Sequence, residues 1–418
     1  MSECRHEDWQ SIRNTEYRRN PLPKRGRGRK AVSMKLACRR IALGATGTFI
    51  VCVLGAVSVG GQSEAGQNPP MAETVFKNIQ VLKGIPVDEF MDTMGMFAAA
   101  TAKDCTGCHS PNILVGSRDA FAETTPMIGR ARQMVEMMNT INRTYFGGRR
   151  RVTCYTCHTG TSAPGRVPNL AVQYGAPLPD NPNAMEFIAL PGAANQVDQI
   201  FAKYMQALGG AQRLASVTSV IATGTYAGWD TAFGEVPIEM FGRAPDQLTT
   251  IVHRKEGNNI WTFDGRNAWF AGVDSAVPNF TTTMTGGNLA GARVEAMVAI
   301  APTRIQQAFS RWLVSEGIID DRPVQVLQGL NQGQTPVNLY FDESGLLVRL
   351  VRWNETAAGP VPTQFDYADY REVAGVRRPF HWVKTWTNNK ATVTLKNVQP
   401  NVPIDAARFA KPAPVPLP

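Results

Sequence analysis

Histidine and cysteine are scarce in this 418-residue sequence, which holds five of the former and seven of the latter. Three cysteines precede residue 60, and the other four all fall in two Cys-x-x-Cys-His motifs, CTGCH and CYTCH. The four motif cysteines are Cys105, Cys108, Cys154 and Cys157. Beyond residue 60 no cysteine is left for a structural disulfide, so a disulfide-stabilised fold is excluded there.

Excess charge is also scarce once the N terminus is set aside. Residues 1–40, a basic leader, hold twelve Lys/Arg and four Asp/Glu, which accounts for +8 of the net charge of +9. Residues 41–418 are therefore nearly balanced at +1. Such a balance gives no nucleic-acid footprint, and we expect no nucleic acid as a partner. The sequence likewise shows no distinct nucleophile–base, phosphate-loop or paired-carboxylate motif.

A long uncharged run follows the basic leader. Residues 41–63 contain no charged residue, and small residues are frequent around the end of this run: Ser58, Gly60, Gly61, Ser63 and Ala65. The order basic, apolar, small is typical of a secretory signal, and residues 41–62 are predicted to be a signal peptide or membrane anchor. A buried core helix is the alternative. The positive-inside rule then places the rest of the chain on the periplasmic side of the cytoplasmic membrane, either soluble or N-terminally anchored.

Two regions with different hydrophobic patterns follow a predicted flexible tether at 63–74. Residues 75–162 are helical in pattern, with apolar residues at helical spacing in 87–102 and 124–146, each run preceding one Cys-x-x-Cys-His motif. This repeat of methionine-bearing helix, loop and motif predicts two equivalent units, each binding one group. A Pro/Gly-rich linker is predicted at 163–194.

The remainder, residues 195–412, is predicted to be rich in β-strands. After one amphipathic helix at 196–210 come alternating strand-like runs separated by turns, with a predicted helical insert at 288–316. The expected fold class is therefore multidomain: a small, mainly α domain that carries the two motifs, followed by a mainly β domain built as a curved antiparallel sheet or half-barrel.

Each Cys-x-x-Cys-His motif matches the attachment site of a c-type haem. Two thiols spaced by two residues can add to the two vinyl groups of one haem, and the adjacent His109 or His158 can bind its iron as a neutral imidazole. Two alternatives are a Cys4 zinc site, which leaves both histidines unexplained, and a redox dithiol, which needs a βαβ context. The sequence predicts two covalently bound haems.

Each iron needs a sixth ligand. His253 and His381 are the other histidines beyond the leader, and both lie in the β-rich region, where we expect ordinary polar residues on strands. Methionine is the remaining candidate, because the helix before each motif is rich in it. Most methionine stripes are core filler, and several methionines here cannot all bind iron.

The segments FMDTMGMF…DCTGCH and ARQMVEMMNTIN…VTCYTCHTG resemble the cytochrome c subunit of photosynthetic reaction centres, over residues 75–165. The resemblance implies haems embedded against methionine-bearing helices. Carried over by position, it implies Met94 as the axial partner of His109 and Met134 as the axial partner of His158. Met91 and Met137 are the fallback ligands.

This sequence departs from the family pattern in two respects. The family subunit is typically tetrahaem, whereas only two motifs occur here. A family histidine just before the second motif, which ligates a distant haem, is replaced by Gly148 in YFGGRRRVTC. Losing that histidine together with the haem it serves is self-consistent, but docking on a reaction centre is no longer implied.

The C-terminal half resembles the half-barrels of periplasmic lipoprotein carriers and sorting proteins, through YREVAGVRRPFHWV, KATVTLKNV and NVPIDAARFAKP. Such a sheet can cradle a hydrophobic ligand in its concavity. Seven aromatic residues are candidates for the lining, although packing of the sheet core is the favoured role. They are Trp261, Trp269, Phe270, Trp312, Trp353, Trp382 and Trp386.

The function expected from these features is that of an exported dihaem cytochrome, an electron carrier and not an enzyme. Its partners would be redox proteins, such as a reaction centre or a respiratory complex, with membrane association through the N-terminal segment. One alternative is a peroxidase-like dihaem enzyme with one five-coordinate iron. Another is a lipid- or lipoprotein-binding β module whose haem domain acts as a redox sensor.

Overall fold

The computed structural model describes residues 68–168, 193–273 and 276–415. The predicted leader, the uncharged run at 41–62 and most of the linker at 163–194 lie outside these ranges. Within the ranges, no helix has both the length and the apolar character needed to span a membrane. The helices are α1 (Ala72–Val75), α2 (Val87–Thr101), α3 (Pro126–Tyr145), α4 (Cys154–His158), α5 (Ala193–Ala207), α6 (Ala211–Ala215) and α7 (Gly286–Ile300).

The second half of the chain forms a single antiparallel sheet of thirteen described strands. The strands are β1 (Ser219–Gly228), β2 (Val236–Arg243), β3 (Gln247–Val252), β4 (Asn259–Phe263), β5 (Ala268–Ala271), β6 (Thr282–Thr283), β7 (Arg311–Ile319), β8 (Arg322–Leu330), β9 (Val337–Phe341), β10 (Leu347–Thr356), β11 (Gly359–Val373), β12 (Val376–Trp386) and β13 (Asn389–Pro400). Their order is β6-β5-β4-β3-β2-β1-β13-β12-β11-β10-β9-β8-β7, so two meanders meet where β1 pairs with β13.

The core lies on the inner face of the curved sheet. Helix α5 contributes Phe201 and Tyr204, and α7 contributes Met297 and Ile300, to the same buried cluster as residues of most strands. These helices are amphipathic or apolar, and the sheet alternates buried and half-buried positions, so both elements bury their apolar sides together. The predicted fold class, a few helices followed by a curved antiparallel sheet, is confirmed.

The helix boundaries follow local sequence signals. The Thr125 side chain accepts a hydrogen bond from the Ile128 amide at 3.1 Å, and Pro126 occupies the first turn of α3. A threonine cap followed by proline is a favoured helix start. The predicted helices at 87–102 and 124–146 therefore match α2 and α3 to within two residues at each end.

The predicted helical insert at 288–316 is wrong in its second part. Helix α7 ends at Ile300, because Ala301 precedes Pro302 and the residue before a proline is disfavoured in helical conformation. Residues 311–319 form strand β7, which pairs with β8 along its whole length. The alternation in RWLVSEGII is that of a strand, and its tryptophan packs against Phe201 and Phe309.

The helical segment before the linker packs on this sheet within one compact unit. Helix α2 contacts α3 through a small cluster that includes Leu82, Phe90 and Val135. It also contacts β10, β11 and α4. The segment that carries the two Cys-x-x-Cys-His motifs thus shares its packing with the sheet.

Candidate functional site

The first motif begins in a short 3₁₀ turn at Cys105–Gly107. The Asp104 carboxylate caps this turn, accepting hydrogen bonds from the Gly107 amide at 3.0 Å and from the Thr106 hydroxyl at 2.7 Å. The His109 amide donates to the Cys105 carbonyl at 2.8 Å, which closes the turn. Both cysteines therefore lie on one tight turn with the histidine directly after it.

The second motif is the single-turn helix α4. Thr153 and Thr156 cap it reciprocally: the Thr156 amide donates to the Thr153 hydroxyl oxygen, and the Thr153 amide donates to the Thr156 hydroxyl oxygen. In a helical turn residues i and i+3 share a face, so the Cys154 and Cys157 side chains leave on the same side. This is the arrangement that two thioether bonds to one haem require.

Both motif histidines are held by a backbone carbonyl. Nδ1 of His109 lies 3.1 Å from the carbonyl oxygen of Phe121, and Nδ1 of His158 lies 3.1 Å from that of Thr161. A carbonyl only accepts, so Nδ1 carries the proton in each neutral ring and Nε2 keeps its lone pair. Burial lowers the pKa of His109, which favours that neutral form. A metal-binding histidine is typically oriented in this way.

The thiols differ in their surroundings. Cys105 and Cys157 are exposed, whereas Cys108 and Cys154 are partly buried. Burial raises the pKa of the Cys108 thiol and raises that of Cys154 to about 11. None of the four forms a disulfide, and within the described ranges no three His, Cys, Asp or Glu side chains converge as a metal site.

The candidate axial methionines lie on the helices before the motifs. Met94 and its fallback Met91, both on α2, are half-buried beside the cluster that joins α2 to α3. On α3, Met134 is 38% exposed and its fallback Met137 is 45% exposed. Helix α3 instead buries Val135 and Met138, so a second, outward face of the helix carries the candidate ligand.

Exposed apolar side chains are concentrated around the motifs. Among the large hydrophobic residues that the structure leaves exposed, most lie between residues 114 and 167. They are Leu114, Val115, Met134, Met137, Tyr145, Phe146, Tyr155 and Val167. A haem is a large apolar plate, and one attached at each motif would cover part of this exposed apolar surface. The residues present thus fit a covalently attached haem.

Asn142 near the end of α3 holds the loop that leads to the second motif. Its side chain is buried and donates to the Val152 carbonyl at 2.7 Å, while its Oδ1 accepts from the amides of Arg151 and Val152 at 2.9 Å each. A buried amide with its polar atoms paired fixes the backbone it touches. Asn142 is therefore a positioning residue for Cys154, two residues beyond the last bond.

Two carboxylates on α2 fasten that helix to the sheet and to α7. Asp88 accepts from the amide of Thr285 at 2.6 Å and from its hydroxyl at 2.9 Å. Asp92 accepts from Asn288 at 2.8 Å and from Asn354 at 2.6 Å. Burial raises the pKa of both carboxyl groups, and the hydrogen bonds oppose that shift in part.

The turn between β10 and β11 packs against the second motif. The Cys154 amide donates to the Ala358 carbonyl at 3.3 Å, and Met96 of α2 packs with Ala358 and Cys154. Gly359 has φ of +132°, and a Cβ there would lie 2.7 Å from the Thr153 Cγ2 atom. Glycine is required at this turn for both its conformation and its close approach. The sheet thus supplies part of the surroundings of the second motif.

The two remaining histidines have ordinary polar partners. His253, just after β3, has its Nε2 3.0 Å from Glu239, and His381 on β12 has its Nδ1 3.0 Å from the Thr394 hydroxyl. His381 lies on a strand, as expected, whereas His253 lies one residue beyond the end of β3. The two pairings agree with the expectation that these residues are structural.

Two Cys-x-x-Cys-His turns, each with its imidazole oriented through Nδ1, have the sequence and local geometry of a c-type cytochrome segment. Residues 53–187 match the family model described as photosynthetic reaction centre cytochrome C subunit. The resemblance predicted for residues 75–165 is thereby confirmed.

Two curated relatives carry the same description. The photosynthetic reaction center cytochrome c subunit of Rubrivivax gelatinosus is 30% identical over 140 residues, which cover 32% of this chain and 34% of the relative. That of Thermochromatium tepidum is 32% identical over 104 residues, which cover 24% of each chain. The chain therefore spans about a third or less of the length of these relatives.

Two solved structures each match about half of the chain. A DUF1329 family protein from Desulfovibrio piger covers 51% of the chain at 8% identity and a TM-score of 0.35, with 97% of its own length matched. A LolA superfamily protein from Nitrosomonas europaea also covers 51%, at 12% identity and a TM-score of 0.33, again with 97% of its own length matched.

Several residues that shape the site could not be predicted from the sequence patterns. Phe121 and Thr161 act through backbone carbonyls, which no side-chain pattern reveals. Asn142 is the last residue of the segment ARQMVEMMNTIN, and no role was predicted for it. An asparagine near a helix end, followed by a glycine-containing loop, often forms hydrogen bonds with the backbone of that loop. The hydrogen bonds of Asp88 and Asp92 could not be predicted, because their partners lie about 200 or more residues away in the sequence.

Proposed function

We propose that this protein is a dihaem c-type cytochrome that passes electrons between redox partners on the periplasmic side of the membrane. The observation that carries the proposal is the shared orientation of His109 and His158, each with Nδ1 donating to a carbonyl and Nε2 left as a ligand. The similarity of residues 53–187 to the reaction-centre cytochrome family supports it.

The residues would divide the work as follows. Cys105 and Cys108 would hold one haem and Cys154 and Cys157 the other, through thioether bonds that keep each group fixed to its turn. Bound haem supplies a one-electron couple between ferric and ferrous iron. The carbonyl-bound histidines set the ring orientation, and the apolar side chains around the motifs exclude water.

Methionine as the sixth ligand would complete the role of electron carrier. Met94 and Met134 are the assigned ligands, with Met91 and Met137 as fallbacks. With both axial positions filled by protein, no position remains for a peroxide or oxygen substrate. A reaction centre or a respiratory complex would then be the kind of partner served, and residues 41–62 would deliver or anchor the chain at the membrane.

Pairwise removal of the motif cysteines tests the proposal. The wild-type protein, produced with active haem-attachment machinery, should contain two haems per chain by pyridine haemochrome assay and mass spectrometry. The variants Cys105→Ala/Cys108→Ala and Cys154→Ala/Cys157→Ala should each retain one. A wild-type protein with no covalent haem would refute the proposal, and a high-spin ferric signal would instead favour the peroxidase-like alternative.

A second candidate function rests on the inside of the sheet. A cavity of about 180 Å³ lies there, lined mainly by apolar side chains that include Trp261, Trp382 and Trp386. At its edge the Arg378 Nη1 donates to the Ala299 carbonyl at 2.6 Å, while its buried Nε has no partner among the described residues. These features support binding of an apolar molecule with an anionic group.

Two of the other candidate tryptophans pack outside this cavity: Trp312 packs on the core beside Phe201, and Trp353 lies in a cluster with Val351. The second candidate is tested by native mass spectrometry of the full-length protein. A co-purifying amphiphile that is lost in Trp382→Ala and Arg378→Gln variants would favour it, and a ligand-free protein that also fails to bind added fatty acid would remove it.

A further inference from the structure

The two motifs stand in electrostatically different surroundings. From residue 137 to residue 179 the sequence holds no Asp or Glu but five arginines. These are Arg143, Arg149, Arg150, Arg151 and Arg166. The segment around the first motif is balanced, since Lys103 and Arg118 are accompanied there by Asp104, Asp119 and Glu123. Along the sequence, arginines without acidic neighbours are therefore concentrated around the second motif.

The structure exposes all five arginines to solvent. Arg150 lies 3.7 Å from Glu355 in an exposed ion pair, so part of its charge is offset. Arg149 and Arg151 lie on the loop that Asn142 holds before Cys154. The Asn142 side chain contacts that loop through backbone atoms, namely the amides of Arg151 and Val152 and the carbonyl of Val152. The charges are thus held beside the motif by bonds that do not involve the guanidinium groups.

Exposed aromatic rings accompany this charge. Tyr145 is 76% exposed, Phe146 is 41% exposed and Tyr155, inside the motif, is 48% exposed. Aromatic and arginine side chains together are the composition enriched at protein interfaces, whereas lysine and acidic residues are depleted. The segment that contains the second motif thus combines exposed aromatic side chains with exposed arginines.

We propose that this surface, residues 143–157 with Arg166, docks an acidic electron-transfer protein and makes the second haem the entry or exit point for that partner. The inference rests on the proposed function. The inference gives the proposed electron transfer a direction between two haems. The second haem faces a negatively charged partner, and the first haem, in balanced surroundings, faces a different partner. Complementary charge raises the rate of association with such a partner, and the effect falls with salt.

The step itself is a one-electron exchange. A ferrous haem gives one electron to the partner and becomes ferric, and the partner is reduced by one electron, so no proton or further reactant is needed. Ferricyanide, a trianion, serves as a defined anionic oxidant, and tris(phenanthroline)cobalt(III), a trication, serves as its cationic counterpart. Hexacyanocobaltate(III) is an anion of similar shape that accepts no electron.

The test is an Arg149→Glu/Arg151→Glu variant of the full-length holoprotein, with Lys255→Glu/Arg266→Glu on the sheet as a control of equal charge change. Both control positions are exposed. At low ionic strength the test variant should react about 3- to 10-fold more slowly with ferricyanide and faster with the cobalt trication. The difference should shrink above about 0.15 M salt, where the Debye length is about 8 Å. Calorimetry should show weaker binding of hexacyanocobaltate to the test variant only.

Three results would overturn the inference. One is equal slowing in the test and control variants, which would show an effect of net charge alone. Another is unchanged kinetics when the test substitutions are made in the Cys105→Ala/Cys108→Ala background, which carries only the second haem. The third is salt-sensitive binding of the wild-type protein to phosphatidylglycerol vesicles that the test variant loses, which would assign the surface to the membrane. Absence of haem from the spectrum would instead refute the proposed function.

Discussion

Asn354 on β10 donates a 2.6 Å hydrogen bond to Asp92 on α2, across 262 residues of sequence. The same asparagine accepts from the Gly287 amide at 2.9 Å through its Oδ1 atom. Asn354 is buried, so both of its polar atoms depend on these partners. One side chain thus ties the first methionine-bearing helix to both the sheet and α7.

Replacing this asparagine should loosen the whole unit. An Asn354→Ala variant leaves Asp92 and the Gly287 amide short of a partner in a buried place, which should lower the free energy of unfolding by about 1–3 kcal/mol. Denaturant unfolding followed by haem absorbance and by tryptophan fluorescence should shift together. Asn397→Ala, at an exposed position of β13, is the matched control and should change little. Separate transitions for the two probes would contradict the shared packing.

The stability of the protein should depend on pH through Asp88. Burial raises the pKa of Asp88 above its ordinary value of 3.8, and among the described residues no cation forms an ion pair with it. Between 3.8 and the raised folded pKa, the folded state keeps a proton that the unfolded state has released. The unfolding free energy therefore decreases as pH rises through this window.

An Asp88→Asn variant should not show that loss. The difference in unfolding free energy, variant minus wild type, is expected to increase from pH 4 to pH 7, as measured by urea denaturation at each pH. Asp119→Asn, at an exposed carboxylate, gives the comparison. The neighbouring Asp92 carboxyl also has a raised pKa and titrates in both proteins. A constant difference across the pH range would show that Asp88 is ionised in the folded state throughout.

The positioning role of Asn142 can be separated from a simple loss of stability. Asn142→Ala removes three hydrogen bonds to the loop before Cys154, so the second haem site should be affected and the first spared. Potentiometric titration should show one potential shifted and one unchanged. Asn139→Ala, exposed on the same helix, should leave both potentials as they are. Equal shifts at both haems would point to a general structural effect.

The proposed methionine ligands predict the direction of a change in haem potential. Histidine in place of methionine lowers the haem potential, within the roughly 0.8 V range that axial ligands span. Met94→His and Met134→His should therefore each lower one of two potentials, and the absorption spectrum should stay low-spin. The same substitution at Met91 and Met137 is the control. A potential that falls in the control and not in the test variant would transfer the role to the fallback ligand.

Local signals in the sequence were enough to predict part of this structure. Helices α2 and α3 were placed to within two residues because apolar spacing, the Thr125 cap and Pro126 act over one or two turns. The Cys-x-x-Cys-His motifs were found because their chemistry is set by five consecutive residues. The curved sheet was expected because alternation and turns recur over about 200 residues.

The parts that could not be predicted depend on distant residues. The predicted helix at 288–316 wrongly includes the first residues of strand β7, although their sequence alternates like a strand, because the pairing with β8 that stabilises this strand is not visible in a local pattern. The bond between Asp92 and Asn354 joins two ordinary polar residues that no local pattern connects. The carbonyl of Phe121 acts through the backbone, so its residue type carries no information about its role.

The pairing of β1 with β13 has a consequence for how the chain is made. The strand that starts the sheet lies beside the strand that ends it, so the central seam closes only when residues 389–400 have left the ribosome. The helical segment that carries the two motifs is synthesised before β1, and it can pack on the sheet only after β10 has been made. A premature stop just before Asn389 would therefore leave the motif region intact in sequence yet strip β1 and β12 of a shared neighbour.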